Sequence, residues 1–258
     1  MDIMQSLWLG LVQGLTEFLP VSSSGHLLLL KRLFGIATND ITFEVLLHGG
    51  TLLAVIAVYW RRIWNMLCHP LRSELPLLVA ATVPAVIAAL LLDFDTAFEG
   101  EYLGFSFLIT TLILWLADLV GGLAPKRKAV GWSNAVVMGV MQAVAIMPGI
   151  SRSGSTISGG VATGLSRKRA ADFAFLMSIP AILGSIVREL IGGGVGQLAS
   201  ESLVPVLVGV GVAAVSSFLA IKVMLAIVRR VRLTWFGLYT GVLGVLILLD
   251  QYLFHYVF

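Results

Sequence analysis

The stretch QGLTEFLPVSSSGHL, residues 13–27, sets Gln13, Glu17, Ser22, Ser23, Ser24 and His26 close together in a strongly apolar chain. Gln13 and Glu17 stand four apart, on one face of a helix. Pro20 breaks that helix, and the hydroxyls and the imidazole follow the break. A carboxylate at membrane depth costs about 2.5–3.5 kcal/mol on insertion scales, so Glu17 requires a partner, a cavity or a metal. Glu17, Ser23 and His26 together form an acid–base half of a site.

A second stretch, MPGISRSGSTISGG at 147–160, has the complementary character. Pro148 and Gly149 stop one half-helix and a small, hydroxyl-rich segment starts the next. Free N–H groups and the positive dipole end at a helix start bind anions. Arg152 adds a planar fork of donors suited to phosphate oxygens, with Ser151, Ser153 and Thr156 around it. The stretch lacks the GK[ST] of a Walker loop. Ser153 stands where a hydrolase elbow needs glycine, so it is not that motif either. An anion-binding half facing an acid–base half is a phosphoryl-transfer site, and inside a membrane its substrate is a lipid phosphate.

The elements that position these residues follow from composition. The chain has 258 residues, 58% hydrophobic and 12% charged, with a mean hydropathy of +0.97. That excludes an ordinary soluble domain and predicts a single integral membrane domain over 1–258. One cysteine, Cys68, excludes an internal disulfide or thiolate cluster. The net charge of +3 lies in short basic clusters between apolar runs, the pattern of membrane topology and not of nucleic-acid binding. The start, MDIMQSLWLG, has an acid where a signal peptide has bases and no small-residue cleavage site, so it is expected to belong to the mature fold.

A helix needs about 20 apolar residues to cross the hydrocarbon core. Six stretches qualify: 43–60, 75–92, 102–124, 173–191, 203–228 and 235–256. Segments 3–34 and 132–166 are each broken by a polar Pro/Gly centre and read as re-entrant helical hairpins. Twelve of the 17 basic residues then fall on one side: Arg61, Arg62, Arg72, Lys126, Arg127, Lys128, Arg167, Lys168, Arg169, Arg229, Arg230 and Arg232. By the positive-inside rule that side is cytoplasmic. The acidic loop 93–101 and both termini are then expected to be extracytoplasmic.

The halves, about 1–125 and 126–258, resemble each other. A shift of 129 residues superposes Gly10, Gln13, Ser22, Ser24 and Gly25 on Gly139, Gln142, Ser151, Ser153 and Gly154. A shift of 130 matches Phe43, Leu46 and Leu53 to Phe173, Leu176 and Leu183. One hairpin plus three spans per half inverts the second copy. The expected fold is an all-α polytopic membrane protein, with six transmembrane helices and two re-entrant hairpins in an inverted-topology repeat.

The two motifs resemble the (E/Q)xxxE and PGxSRSxxT signatures of bacterial undecaprenyl-diphosphate phosphatases of the BacA/UppP type, and the likeness extends over the whole chain. The resemblance implies dephosphorylation of undecaprenyl diphosphate, which recycles the envelope carrier lipid and is associated with bacitracin resistance. It implies a divalent cation, Mg²⁺ or Ca²⁺, and a site facing the periplasm of a bacterial cytoplasmic membrane. Residue by residue, it makes Glu17 the carboxylate that holds the metal or acts as base, with Gln13 beside it. Ser23 is then the nucleophile, His26 the general acid–base, and Arg152 the clamp on the diphosphate. Ser22, Ser151, Ser153 and Thr156 contact phosphate oxygens. A serine needs a base within reach; the competing route is attack by a metal-bound or Glu17-activated water.

Glu44 and His48 share a helical face, which fits either a pair that supports the site from behind or a buried pair bonded to each other. Broken helices in inverted repeats are also transporter architecture, so a polyprenyl-phosphate flippase is the alternative function. Expected partners are the polyprenyl diphosphate and membrane lipids, with no nucleic acid. The oligomeric state stays open, a dimer included.

Overall fold

The computed structural model describes residues 2–36, 41–91, 100–123, 127, 129–191 and 203–257. Among them there are ten α-helices and no strand. In chain order these are α1 (Ile3–Thr16), α2 (Ser23–Leu33), α3 (Ile41–Cys68), α4 (Leu75–Leu91) and α5 (Leu103–Gly121). The second five are α6 (Trp132–Val144), α7 (Arg152–Ala162), α8 (Arg167–Ile191), α9 (Leu203–Ile227) and α10 (Leu233–Leu249).

Five segments are long and apolar enough to cross a bilayer: Phe43–Cys68, Leu103–Gly121, Arg167–Ile191, Leu203–Ile227 and Leu233–Phe254. The sixth expected span, Leu75–Leu91, is a shorter apolar helix. The longest of α1, α2, α6 and α7 has 14 residues, about 21 Å at 1.5 Å per residue, so none of the four crosses a core of about 30 Å alone. Large apolar side chains such as Leu90, Leu119, Val215 and Val223 point outward. A charge-poor surface of this kind suits lipid and not water. The chain is an all-helical polytopic membrane protein.

Backbone approaches hold the short helices in place. A Cβ on Gly10 of α1 would lie 2.4 Å from the Gly209 carbonyl of α9, and one on Gly139 of α6 would lie 2.4 Å from the Ala81 carbonyl of α4. Only glycine permits such crossings, as small residues do generally between membrane helices. These two positions are 129 apart, and other local features repeat at that spacing. The backbone N–H of Asp2 donates to Gln5 Oε1 at 3.1 Å, as that of Gly131 does to Asn134 Oδ1 at 2.9 Å. Ser22 caps α2 and Ser151 caps α7, each accepting from a glycine N–H three residues on. Where α5 packs on α10, the hydroxyls of Thr111 and Thr240 meet at 2.9 Å.

The main apolar core gathers Phe18, Leu114, Met138, Phe173, Phe175 and Met224. Phe18, next to Glu17, lies edge-on to Phe175 at 5.2 Å between centroids. This plugs the turn after α1 into α8. Helix bounds differ from expectation at the basic ends. Arg61 and Arg62 continue α3, and Arg167, Lys168 and Arg169 form the first turn of α8 where a loop was expected. Cations at a helix start oppose its dipole. Acids offset this: Arg167 donates to Asp118 at 2.8 Å, and Arg169 and Arg62 both pair with Glu74. Lys126, Lys128 and the acidic positions 93–99 lie outside the described residues.

Valine at Gly10 or Gly139 is expected to separate its crossing and cost about 1–3 kcal/mol. The thermal midpoint of the detergent-purified protein should fall clearly for either variant and stay unchanged for Gly211→Val, whose Cβ meets nothing within 4 Å. Equal midpoints for all three would refute the crossing as a constraint.

Candidate active site

Glu17 follows α1 directly, its N–H bonded to the Gln13 carbonyl at 3.0 Å. Its side chain is 4% exposed. Oε2 accepts from Gln13 Nε2 at 2.9 Å and from Ser23 Oγ at 2.5 Å. Oε1 accepts from the Arg152 guanidinium. His48 Nε2 stands 3.5 Å from Oε2. One carboxylate thus gathers groups from α1, α2, α3 and α7.

The breaks in the two hairpins create this convergence. After Pro20 the chain turns through Ser22, a non-glycine residue at φ +70°. Left-handed backbone at such a residue is strained and concentrates at functional sites. The Ser22 hydroxyl takes the Gly25 N–H at 3.3 Å, so Ser23 opens α2 with its hydroxyl on Glu17. In the second hairpin Gly149 turns at φ +88°. Thr110 of α5 clamps that turn, donating to the Gly149 carbonyl at 2.9 Å and accepting from the Ser151 N–H at 3.0 Å. Ser151 accepts from the Gly154 N–H at 3.0 Å, and Arg152 opens α7. Ser153 then donates to the Leu19 carbonyl at 2.7 Å and ties one tip to the other.

Some expected residues lie elsewhere. His26 does not meet Ser23. Its Nδ1 is 2.6 Å from the Ser22 carbonyl and its Nε2 is 2.7 Å from the Tyr239 hydroxyl. A carbonyl only accepts, so Nδ1 carries a proton. The base within reach of Ser23 is Glu17. The Thr156 hydroxyl turns back to the Arg152 and Ser153 carbonyls of its own helix, at 2.8 and 3.2 Å. Ser151 serves as a cap. Of the two supports on α3, His48 reaches Glu17, with its Nδ1 2.7 Å from the Glu44 carbonyl. Glu44 instead receives Lys31 at 2.8 Å. Lys31, Thr110 and Tyr239 escaped the sequence reading. Lys31 had a signal, a cation inside the apolar run HLLLLKRL; Thr110 and Tyr239 had none, being polar tips on long apolar helices.

The charges nearly balance: one carboxylate faces one guanidinium, both with low exposure. Two buried atoms at this centre have no hydrogen-bond partner, Gln13 Oε1 and Arg152 Nη1. One is an acceptor and one a donor, and both stay available to a ligand while Glu17 is fully engaged.

Comparison with known proteins gives a consistent answer. The family described as "Bacitracin resistance protein BacA" matches residues 6–246. A protein of Carboxydothermus hydrogenoformans named undecaprenyl-diphosphatase is 45% identical over 260 residues, covering 97% of this chain and 98% of the relative. Proteins of the same name from Halothermothrix orenii and Christiangramia forsetii are each 37% identical, covering 96% and 98% of this chain. Since the family match and the relatives run nearly end to end, and both hairpin motifs converge on one buried carboxylate, the chain belongs to the BacA family.

Proposed function

We propose that this protein hydrolyses undecaprenyl diphosphate to undecaprenyl phosphate and inorganic phosphate, recycling a bacterial envelope carrier lipid. The observation that carries the reading is the sharing of Glu17 between the Arg152 guanidinium and the Ser23 hydroxyl. An entering diphosphate brings oxyanions that compete with Glu17 for Arg152, beginning at the unpartnered Nη1. Glu17 then loses its compensating cation and becomes the stronger base. The Ser23 proton passes to Oε2 and Oγ attacks the terminal phosphorus. The new O–P bond forms as the bridging P–O bond breaks, and undecaprenyl phosphate leaves with the electron pair. Water then attacks the phosphoserine; as the Oγ–P bond breaks, Oγ takes back the proton held on Glu17 Oε2, so Ser23 and the carboxylate are both regained and inorganic phosphate leaves with the water's oxygen and protons. The 2.5 Å contact between Ser23 and Glu17 favours this route over direct attack by water on the diphosphate. A flippase would need the anion clamp but not a hydroxyl held on a carboxylate.

A divalent cation, Mg²⁺ or Ca²⁺, belongs to the proposal. Gln13 Oε1 is a buried, unpartnered hard oxygen beside the Glu17 carboxylate. Among the described residues no group of three His, Cys, Asp or Glu could form a protein cage. The pair suits an ion held by few protein oxygens and completed by phosphate oxygens, as Mg²⁺ commonly is. When bound, the ion supplies charge neutralisation at the phosphates.

The proposed arrangement has six crossings and two re-entrant hairpins in an inverted repeat, in the bacterial cytoplasmic membrane. Both termini and the site opening face the periplasm. The local features repeated at a spacing of 129 and the clustering of basic residues support it.

Purified protein in detergent with Mg²⁺ should release inorganic phosphate from a polyprenyl diphosphate. Glu17→Ala and Arg152→Ala should each lower kcat/KM by at least about 10²-fold. Ser23→Ala should do the same, and a phosphorylated Ser23 should be trappable; near-normal turnover of that variant would end the covalent route. Reporter fusions should place 93–101 in the periplasm and 125–131 in the cytoplasm. A cytoplasmic acidic loop would overturn the proposed sidedness.

A further inference from the structure

Shifting α2 forward and α10 back by 129 residues gives α7 and α5, so the seam between α2 and α10 has a counterpart in the seam between α7 and α5. The counterpart is closed. A Cβ on Gly121 of α5 would lie 2.4 Å from Val161 of α7, and Leu114 and Ala117 of α5 are 0% and 3% exposed. The seam between α2 and α10 is open. Leu246, at the place of Ala117, is 56% exposed, and Leu243, at the place of Leu114, is only partly buried. An apolar groove runs there, lined by Leu29 of α2, by Leu243, Leu246 and Ile247 of α10, and by Asp250 and Val257 beyond it. The groove leads toward the candidate active site. Leu29, His26 and Ser23 stand at successive turns of α2, and Leu243 and Tyr239 at successive turns of α10. His26 and Tyr239 bridge the seam at 2.7 Å, one turn from the Ser23 hydroxyl that rests on Glu17. Neighbouring seams are shut at backbone distance: Ser217 of α9 donates to the Gly14 carbonyl of α1 at 3.2 Å, and Gly139 of α6 lies on Ala81 of α4.

We propose that this groove holds the first isoprene units of the lipid diphosphate while its head group lies at Ser23 and Arg152. The inference rests on the proposed phosphatase reading and adds to it where the chain of the substrate lies. A lipid whose phosphates enter a buried polar centre has to keep its chain in apolar surroundings on the way out. The groove supplies them beside the Ser23 end of α2, and its exposed Leu246 leaves it open to the bilayer. The rest of a long chain therefore passes into lipid without threading through protein. From Tyr239 to Asp250 the chain rises about 16 Å, room for only the first few units. The His26–Tyr239 bridge is the floor over which the chain turns inward, and Tyr239, 50% exposed, offers it the face of a ring. Charge at the two ends sets the direction. Arg152, with Nη1 unpartnered, belongs to the inner end. At the outer end Asp250, whose carboxylate accepts from the Tyr256 and Val257 N–H groups at 3.0 Å, opposes a phosphate.

The test uses the full-length protein in detergent, with two independent readouts. The first is steady-state release of phosphate from a polyprenyl diphosphate with Mg²⁺ by Leu243→Trp, which fills the groove without touching Ser23, Glu17 or Arg152. Loss of chain binding alone should raise KM about tenfold and leave kcat within about twofold. Val215→Trp, on the outward face of α9, should leave both constants unchanged, and equal thermal midpoints for the two variants and the wild type show that each is folded. The second readout is photolabelling of the wild-type protein by a polyprenyl diphosphate that carries a diazirine on its first isoprene unit. The label should map to α2 and α10 around Leu29 and Leu243, and excess unlabelled substrate should displace it. An unchanged KM for Leu243→Trp overturns the inference. So does a label that avoids both helices or resists displacement, which gives the groove to another occupant, a second copy of the chain or bulk lipid. Failure of the wild-type protein to release phosphate would instead remove the phosphatase reading, while the label still reports where the chain lies.

Discussion

A carboxylate buried among membrane helices has to be compensated, and Glu17 is compensated by charge and hydrogen bonds from four elements at once. Stripping two charges of water costs several kcal/mol each, so an isolated buried pair adds little stability. What the pair imposes is geometry. Arg152 reaches Glu17 only because two helices stop inside the protein and present their ends to each other. Each stop exposes backbone groups that lipid cannot satisfy, and the capping serines, the Gly149 turn and the Thr110 clamp all answer that need. Most of the polar inventory of both tips thus serves the same requirement as the buried Glu17 carboxylate.

The apolar part of the molecule follows from the same demand. The short helices are held by their neighbours. Those neighbours approach closely enough to touch backbone, as α9 does at Gly10 and α4 at Gly139. Phe18 locks the Glu17 turn from the opposite side, packed on Phe175. The Glu74 cluster with Arg62 and Arg169 fastens α3, α4 and α8 at one end. Helices pinned at an end and at a crossing leave the hairpin tips little freedom, which suits a site that depends on preorganised donors.

How much of this was readable from the residues depended on range. Pro20, Pro148 and Gly149 announced the breaks because backbone chemistry is local, and the placement of the Glu17 half opposite the Arg152 half followed from the repeat of the two stretches at a spacing of 129. The partner of His26 was not readable. Spacing offered Ser23 three residues away, whereas the fold supplied Tyr239, 213 residues distant. The Thr156 hydroxyl was equally ambiguous, since a threonine in a helix can bond its own backbone as easily as a ligand. Helix starts at the basic clusters were misplaced for a related reason. Arg167 and Arg169 disfavour a first turn unless acids stand opposite, and Asp118 and Glu74 come from remote segments.

Ser23 and Arg152 occupy the same place in the two hairpins: each is the first residue of a helix capped by serine, and each turns to Glu17. Two identical copies would set serine against serine or arginine against arginine, and neither pair holds both a hydroxyl and a cation. The hairpins differ at Glu17 too, which stands opposite Ile146 at the same spacing. Hydroxyl, carboxylate and cation share one centre because the two halves are not identical at these positions.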